Sequence, residues 1–333
     1  MNLAQFDRRG YVTTPTPIEA CPNFSKKLGA DINVYLKRDD MLPGAAGGNK
    51  TRKLDFCIAD GLNKGCDTII TCGAVQSNHC RLTLSWAKKE GLDCHLVLEQ
   101  RVPGSYNPEA SGNNFLFQLM GVNGITVVDA GTNMLEAMEE VAEELRKQGK
   151  KPYIIPGGAS NTIGALGYVA CMEEIMAQMF QQRLNFEHMV VPSGSAGTHG
   201  GIIAGMVANN INIPVTGIGV NRPKPVQEEA VYSLANQTLD LIKAGVQVPR
   251  EKVVAFDDYV GPGYSLPTDA MVAAVKMLAE TEAILLDPVY SGKAMSGLID
   301  LARKGYFPKG SDVLFLHTGG SPALFAYLPE FRK

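Results

Sequence analysis

Short β-branched and apolar runs alternate with longer stretches of helical periodicity along the whole chain. Short continuous apolar runs are typical of strands covered on both faces, whereas apolar positions repeating about every 3.6 residues predict helices. The predicted strands are Ile32–Lys37, Thr68–Cys72, Cys94–Glu99, Ile125–Asp129, Pro152–Ile155, His188–Val191, Val215–Gly219 and Val313–His317. The predicted helices are Lys50–Asn63, Asn78–Glu90, Met134–Gln148, Thr162–Gln182, Thr198–Asn209, Pro225–Ala244, Thr268–Glu280 and Gly292–Lys304. This alternation predicts an α/β fold with parallel, twisted sheets and helices on both faces.

Composition narrows the classes of function. The chain has 333 residues, of which 45% are hydrophobic and 20% charged, so we expect an ordinary globular protein of about two domains. The net charge is −3, and no basic cluster alternates with aromatic residues, which argues against a nucleic-acid partner. The sequence has neither an apolar run long enough for a bilayer nor an apolar signal core near its start, so no membrane association is expected.

Cysteine and histidine usage adds two further expectations. The 7 cysteines are scattered without a C-x-x-C pair, which favours free thiols in a reducing cytoplasm. The 5 histidines show no ligand spacing with these cysteines, so we predict no catalytic metal.

The segment Gly47–Lys53 carries the first sign of chemistry. Lys50 follows a Gly-Gly-Asn turn at the start of a predicted helix, with Arg52 and Lys53 close by. A lysine becomes a nucleophile when its ammonium is desolvated or lies near another cation. The alternative is a solvated basic turn of a surface helix. Within the motif, Lys50 is favoured as the reactive amine, and Lys53 is interpreted as a charge on the helix face.

Two glycine-rich turns follow predicted strands. They are Thr71–His79 and Pro192–Gly201, and each leads into a predicted helix. Backbone amides at such a turn, together with the helix N-terminus, form an anion site. Ser195, Gly197 and Thr198 therefore suit a phosphate, although a tight strand-to-helix connection explains the glycines equally well. Neither turn has the nucleotide P-loop or dinucleotide pattern.

A reactive lysine combined with a phosphate cup and no nucleotide motif indicates pyridoxal phosphate. The chain resembles the pyridoxal-phosphate enzymes of the D-cysteine desulfhydrase, 1-aminocyclopropane-1-carboxylate deaminase and L-cysteate sulfo-lyase family. The motifs that carry the resemblance are Pro15–Pro17, Tyr35–Asp40, Gly47–Lys53, Gln76–His79, Gly164–Tyr168, Gly194–Thr198, Asp287–Lys293 and His317–Gly320. The resemblance implies a two-domain enzyme of the tryptophan-synthase-β-like type (fold type II). Residues 48–155 would form the smaller domain, and residues 1–47 with 156–333 the larger, cofactor-binding one. It further implies a cytoplasmic homodimer acting on a small amino acid.

The resemblance also implies roles for individual residues. Lys50 is expected to bond covalently to the cofactor and then to act as a base. The residues expected to bind the cofactor are Lys50, Asn78, Ser195, Ala196, Gly197, Thr198, Ser291 and Thr318, with Asn78 on its phenolic oxygen and Ser195–Thr198 on its phosphate. The residues expected to contact substrate are Ser77, Asn78, His79, Tyr264 and Tyr290, of which Ser77, Tyr264 and Tyr290 join Lys50 as catalytic candidates. Helix capping by Ser77 and Asn78, a packed structural His79 and core tyrosines are the alternatives.

Ser291 and Thr318 bear on the reaction. In the deaminase branch of the family, a glutamate stands at the position of Ser291 and a leucine at that of Thr318. A hydroxyl at Ser291 is expected to face the ring nitrogen and to keep it less protonated than a carboxylate would. Cyclopropane opening is then disfavoured relative to carbon–sulfur elimination. The segments Pro156–Asn161, Gly217–Val220 and Arg222–Pro225 favour L-cysteate as the substrate, with sulfite released. D-cysteine, with sulfide released, is the alternative, and a non-catalytic ligand sensor is a third.

Overall fold

The computed structural model describes residues 2–333 and contains two sheets flanked by helices. Its strands are β1 Ile18–Ala20, β2 Ile32–Arg38, β3 Thr68–Ala74, β4 Asp93–Gln100, β5 Gly124–Asp129, β6 Pro152–Ile155, β7 His188–Ser193, β8 Val215–Gly219, β9 Val254–Phe256 and β10 Ser311–His317. Its α-helices are α1 Pro22–Leu28, α2 Lys50–Asn63, α3 Asn78–Lys89, α4 Asn113–Leu119, α5 Met134–Lys147, α6 Thr162–Gln182, α7 Gly197–Ala208, α8 Lys224–Leu241, α9 Asp269–Glu282, α10 Ser291–Arg303 and α11 Leu328–Phe331.

The larger sheet has the strand order β1-β2-β10-β7-β8-β9, and the smaller sheet has the order β5-β4-β3-β6. All pairings are parallel except that of β1 with β2, which is antiparallel. The predicted parallel α/β architecture is therefore observed, with one short antiparallel edge strand that the pattern did not predict. A three-residue strand such as β1 is too short to show a periodicity.

The central strands are buried on both faces, as their continuous apolar composition predicts. Every residue of β7 and of β8 is buried, because helices cover the larger sheet on each side. All four strands of the smaller sheet lie within residues 48–155, and those of the larger sheet lie outside that range. α2 also begins in that range but packs against α6, so the two parts are in direct contact. The exact domain boundaries stay a prediction.

A buried ionic network ties α2 to the larger sheet. The Arg52 guanidinium donates to both carboxylate oxygens of Asp39, at 2.8 and 2.9 Å, and to both of Glu174, at 2.9 Å each. Lys37 also contacts Glu174, and Tyr168 donates to Asp39 at 2.7 Å. Burial alone would raise the pKa of Asp39, but Arg52, with Lys37 and Tyr168, holds it below its usual range. The first turn of α2 is therefore anchored within two residues of Lys50.

Among residues 2–333, no helix is long and apolar enough to span a membrane. The same residues contain no group of three His, Cys, Asp or Glu side chains arranged to hold a metal ion.

Candidate active site

A cavity of about 280 Å³ opens where the carboxyl ends of strands from both sheets meet. Much of its wall comes from residues that end or closely follow β3, β4, β6, β7, β8 and β10. This is the edge at which α/β sheets bind ligands, because the loops there bring backbone amides and helix N-termini together. The predicted site residues that line it are Lys50, Ser77, Asn78, His79, Ser195, Ala196, Thr198, Tyr264, Tyr290 and Thr318.

Lys50 is the first residue of α2, and the preceding turn requires glycine. Gly47 has φ of +66°, and a Cβ there would lie 2.0 Å from the carbonyl oxygen of Asp40. The amide of Asn49 donates to the carbonyl of Thr318 at 3.0 Å, which joins the turn to the end of β10. This tight approach explains why two glycines precede the lysine.

Burial is the main cause that lowers the pKa of Lys50 to about 8; Asp287 opposes this shift, and the nearby charge of Arg81 contributes to it. The Lys50 Nζ donates to Asn49 Oδ1 at 3.0 Å. An amine with this pKa has about a tenth of its molecules neutral at pH 7, far more than an ordinary lysine has, so it is available as a nucleophile or a base. The solvated surface turn that the sequence left open is thus excluded for Lys50.

Lys53 differs from its predicted role. It was expected to be a charge on the helix face, but its side chain is fully buried. Its Nζ donates to the carbonyl of Gly158 at 2.9 Å, and burial lowers its pKa well below the usual value. A Cβ placed on Gly197 would lie 2.5 Å from this Nζ, so Lys53 lies beside the first turn of α7. The sequence pattern did not predict the burial of Lys53, because a lysine is usually exposed and the pattern does not show that α2 is covered on several sides.

The loop Ser195–Thr198 forms an open cup at the start of α7. Ala196 adopts a left-handed conformation with φ of +71°, which turns the chain from β7 into the helix. Ser160 donates to Ser195 Oγ at 2.8 Å and accepts from the amide of Gly197 at 3.1 Å. Side-chain hydroxyls, first-turn amides and the Lys53 amine therefore surround the space that a Cβ on Gly197 would enter, and this combination suits a phosphate.

The Asn78 amide has a fixed orientation. Its Oδ1 accepts from Arg81 Nη1 at 3.2 Å and from Asn113 Nδ2 at 2.9 Å, so its Nδ2 is the group left to donate elsewhere. Arg81 is fully buried and donates further to Asn113 Oδ1 and to the carbonyl of Gly47. All of these acceptors are uncharged. The sequence analysis missed Arg81, although its position three residues after Asn78 on α3 places it on the same helix face.

His79 has a defined tautomer. The single hydroxyl proton of Thr71 goes to the carbonyl of Ile155 at 2.7 Å, so Thr71 Oγ1 must accept from His79 Nε2, which lies 2.7 Å away. His79 Nδ1 is then an acceptor, and it has no partner within residues 2–333. Burial lowers the pKa of His79 well below its usual value, so the ring is neutral. Beside it, Ser77 Oγ accepts from the amide of Cys80 at 3.1 Å and thereby caps α3.

Two tyrosines stand on the side of the cavity where Lys50 lies. Their hydroxyl oxygens, Tyr264 Oη and Tyr290 Oη, are 2.5 Å apart, and the Lys50 Nζ is 6.0 Å from the centroid of the Tyr290 ring. Burial raises the pKa of both phenols, so both are protonated at neutral pH. One phenol donates to the other within this pair, which leaves one hydroxyl proton for a ligand.

Ser291 does not line the cavity. Its hydroxyl accepts from the Asp287 amide and donates to Asp287 Oδ1, both at 2.8 Å, and its side chain is fully buried. The Asp287 carboxylate also accepts from the amides of Val289 and Tyr290, so it caps the start of α10. The structure therefore gives Ser291 a capping contact, whereas Thr318 lines the cavity with a hydroxyl that has no hydrogen bond within residues 2–333. Gly197 is likewise absent from the lining, although its neighbours Ala196 and Thr198 are part of it.

The comparisons with known proteins agree with this geometry. Residues 11–319 match the family described as pyridoxal-phosphate-dependent enzymes. The chain belongs to this family, and the cofactor expected from the sequence, pyridoxal 5′-phosphate, is confirmed. Over 330 residues the chain is 43% identical to a D-cysteine desulfhydrase of Klebsiella pneumoniae (strain 342), covering 99% of this chain and 98% of that protein.

Solved structures confirm the fold class. A crystal structure of an ACC deaminase homologue is 39% identical and superimposes with a TM-score of 0.90, covering 99% of this chain and 97% of that one. A fungal L-serine ammonia-lyase from Rhizomucor miehei is 21% identical with a TM-score of 0.67, over 96% of this chain and 98% of that one, and shows the fold alone. The predicted fold type II and the predicted family are both confirmed.

Proposed function

We propose that this enzyme is a carbon–sulfur lyase that converts D-cysteine to sulfide, pyruvate and ammonia. The observation that carries the proposal is the identity of 43% with a D-cysteine desulfhydrase over 99% of the chain. The sequence analysis had favoured L-cysteate over D-cysteine, and the comparisons support the alternative instead. The Lys50 amine, beside the Tyr264–Tyr290 pair in a cavity rich in donors, supplies the base that such an elimination needs.

The cofactor is assigned to the residues whose free groups match it. Lys50 would bond to its aldehyde carbon, and Asn78 Nδ2 would donate to its phenolic oxygen. The Ser195–Thr198 loop and the Lys53 amine would hold its phosphate, whose negative charge favours the protonated form of that amine. Thr318 replaces Ser291 as the candidate for its ring nitrogen, since the Thr318 hydroxyl lines the cavity and that of Ser291 is engaged by Asp287. Once bound, the cofactor supplies an electron sink that acidifies the substrate Cα–H bond.

The protein groups have separate roles in the elimination. Lys50 Nζ takes the proton from Cα, and its pKa of about 8 leaves enough neutral amine for this step at physiological pH. Amides at the start of α3, after Ser77, would hold the substrate carboxylate, and the adjacent His79 is neutral because burial lowers its pKa. The Tyr264–Tyr290 pair has one hydroxyl proton available to hydrogen-bond the departing sulfur.

L-cysteate is the second candidate because two arginines, Arg101 and Arg222, line the same cavity. A sulfonate stays anionic, and guanidinium groups bind such oxyanions well. The deaminase reaction requires the opening of a cyclopropane ring, which neither of these candidates requires, and it ranks below both. The protein is further proposed to act as a homodimer in the cytoplasm, which the molar mass in solution and fractionation of cells would test.

The decisive experiment presents purified holoenzyme with D-cysteine, L-cysteine, L-cysteate and 1-aminocyclopropane-1-carboxylate separately. Sulfide, sulfite, pyruvate and 2-oxobutanoate are each quantified, with Lys50→Ala as the matched inactive control. We expect equimolar sulfide and pyruvate from D-cysteine. Sulfite from L-cysteate without sulfide would replace the lead candidate by the second. 2-Oxobutanoate as the main product would refute both, and no product from any substrate would favour a ligand sensor.

A further inference from the structure

Arg101 has a distinctive place in the cavity. It directly follows β4 at the start of the loop that leads to α4, and its side chain is 30% exposed. Its guanidinium carbon lies 4.1 Å from the centroid of the Tyr264 ring, and its Nε donates to Glu99 Oε2 at 2.7 Å. Stacking on the ring fixes the plane of the guanidinium, and the Glu99 contact fixes one of its edges.

The opposite edge of this guanidinium is free. Within residues 2–333, neither Nη nitrogen of Arg101 makes a hydrogen bond. Glu99 has a second contact of its own, since its Oε1 accepts from the amide of Gly131 at 3.0 Å. The carboxylate is thereby held against the Nε side, and the Nη donors remain for an acceptor in the cavity that Arg101 lines.

Arg101 is linked to the reacting region by the tyrosine pair. Tyr264, on which it stacks, is hydrogen-bonded to Tyr290, and the Tyr290 ring lies 6.0 Å from Lys50 Nζ. One wall therefore runs from the base that takes the Cα proton to the guanidinium. A substrate whose Cα reaches Lys50 can extend its Cβ substituent along this wall towards the Nη donors.

We propose that Arg101 binds the negative charge of the substrate Cβ substituent and so selects amino acids with an anionic or anion-forming sulfur group. The inference rests on the proposed elimination. In that reaction the Cα proton goes to Lys50 Nζ, and the Cα–H electron pair forms the Cα–Cβ double bond. The Cβ–S bond breaks, and its electron pair leaves with sulfur as hydrogen sulfide anion or, from a sulfonate, as sulfite. Charge thus grows on the departing group, where a charge-assisted hydrogen bond is strongest.

Arg222 provides the matched control. It lines the same cavity in the loop between β8 and α8, and it makes no hydrogen bond within residues 2–333. It makes neither a hydrogen bond nor a cation–π contact with Tyr264 or Tyr290, whereas Arg101 lies over the Tyr264 ring. The same Arg→Met change at Arg222 therefore removes a cavity cation that is not stacked on this pair. The two variants separate a specific position from the general positive charge of the cavity.

The test uses two ligands of the same shape that carry no sulfur. Aspartate has an anionic side chain and asparagine a neutral one, and both are titrated by calorimetry into holoenzyme, in each configuration. The wild type should bind aspartate more tightly than asparagine. Arg101→Met should reduce this preference about 10- to 100-fold, which is the range for a charged hydrogen bond. Arg101→Lys should keep part of it, because the charge remains and the fork is lost.

The outcomes are distinct from those that test the overall function. The Arg101→Met variant must first show an unchanged unfolding midpoint and unchanged cofactor absorbance. If such a variant still prefers aspartate to asparagine as strongly as wild type does, the inference is wrong even when D-cysteine is turned over. If Arg222→Met loses the preference for aspartate instead, the side-chain carboxylate binds to Arg222 and the inference is equally wrong. If the preference depends on Arg101 while no sulfur substrate reacts, the proposed function fails and the anion site stands.

Discussion

Replacing Arg52 by methionine should destabilise the protein strongly, because it leaves the buried Asp39 carboxylate and the partly buried Glu174 carboxylate without their main partner. Asp39 is fully buried, and Arg52 supplies a bidentate pair to it and a second to Glu174. Removing one partner from a buried ion pair costs about 3–5 kcal/mol, whereas removing one from an exposed pair costs at most about 1 kcal/mol. Lys37 remains beside Glu174, so the loss is expected to come chiefly from Asp39.

The assay is chemical unfolding of the apoprotein followed by circular dichroism. The control is Arg146→Met, which removes an arginine that is 44% exposed and paired with glutamates on the surface of α5. A double variant, Arg52→Met with Asp39→Asn, removes the stranded charge as well. It should therefore be less destabilised than the sum of the two single changes. Equal losses for Arg52→Met and Arg146→Met, or strict additivity in the double variant, would refute the reasoning.

The same network predicts a direction for acid sensitivity. The folded-state pKa values of Asp39 and Glu174 are lowered by Arg52 and Lys37 against the opposing effect of burial. Their contribution to stability is therefore complete above the unfolded values of about 3.9 and 4.3, and is lost as pH falls through the folded values. Arg52→Met should flatten the stability curve below about pH 4 relative to wild type.

Three further predictions concern the cofactor site. Lys50→Ala should lose the near-visible absorbance of bound cofactor, and borohydride reduction of wild type followed by peptide mapping should tag Lys50; a tag on Lys53 would contradict the assignment. Gly197→Val should weaken cofactor binding more than it lowers the unfolding midpoint, since a Cβ there would lie 2.5 Å from Lys53 Nζ; unchanged affinity would argue against the phosphate cup. Thr318→Val should shift the pH dependence of the cofactor absorbance more than Ser291→Ala does, and the reverse order would restore the ring-nitrogen role to Ser291.

The parts of the fold that the sequence predicted share one property. Every predicted strand and helix was observed, because each carries a clear apolar run or repeat over at least four residues. The strands and α-helices that were missed are short: β1 and β9 have three residues each, α1 and α4 have seven, and α11 has four. Such segments depend on what packs against them, and a local pattern does not contain that information.

In the candidate site, too, a local sequence pattern did not predict contacts with distant segments, here those of individual side chains. Motifs located Lys50 and the two loops, because turns and helix starts demand particular residues at fixed spacing. They did not show that Lys53 is buried, that Arg81 holds the Asn78 amide or that Ser291 faces Asp287. These facts depend on which side of a helix meets a distant segment. The burial of a polar residue on a helix face is therefore a stronger indicator of function than its residue type.

The pH dependence of cofactor binding tests the central assignment directly. An ordinary lysine with a pKa of 10.5 is almost entirely protonated at pH 7, whereas Lys50 has a pKa of about 8, so it offers about 300 times more neutral amine at that pH. Only the neutral amine attacks a carbonyl carbon, so the rate at which apoprotein regains near-visible absorbance should rise with pH and level off above about pH 8.

A substitution at Arg81 should shift the midpoint of this pH profile in a direction that can be predicted. Arg81 contributes to the low pKa of Lys50 through repulsion between the two positive charges. The neutral variant Arg81→Gln should therefore move the midpoint of the profile to higher pH. An Arg81→Lys variant keeps the charge and should leave the midpoint near that of wild type, even if the lost hydrogen bonds to Asn78 and Gly47 weaken binding. A wild-type midpoint above pH 10, or a midpoint that moves equally in both variants, would mean that burial and Arg81 do not prepare Lys50 for its reaction.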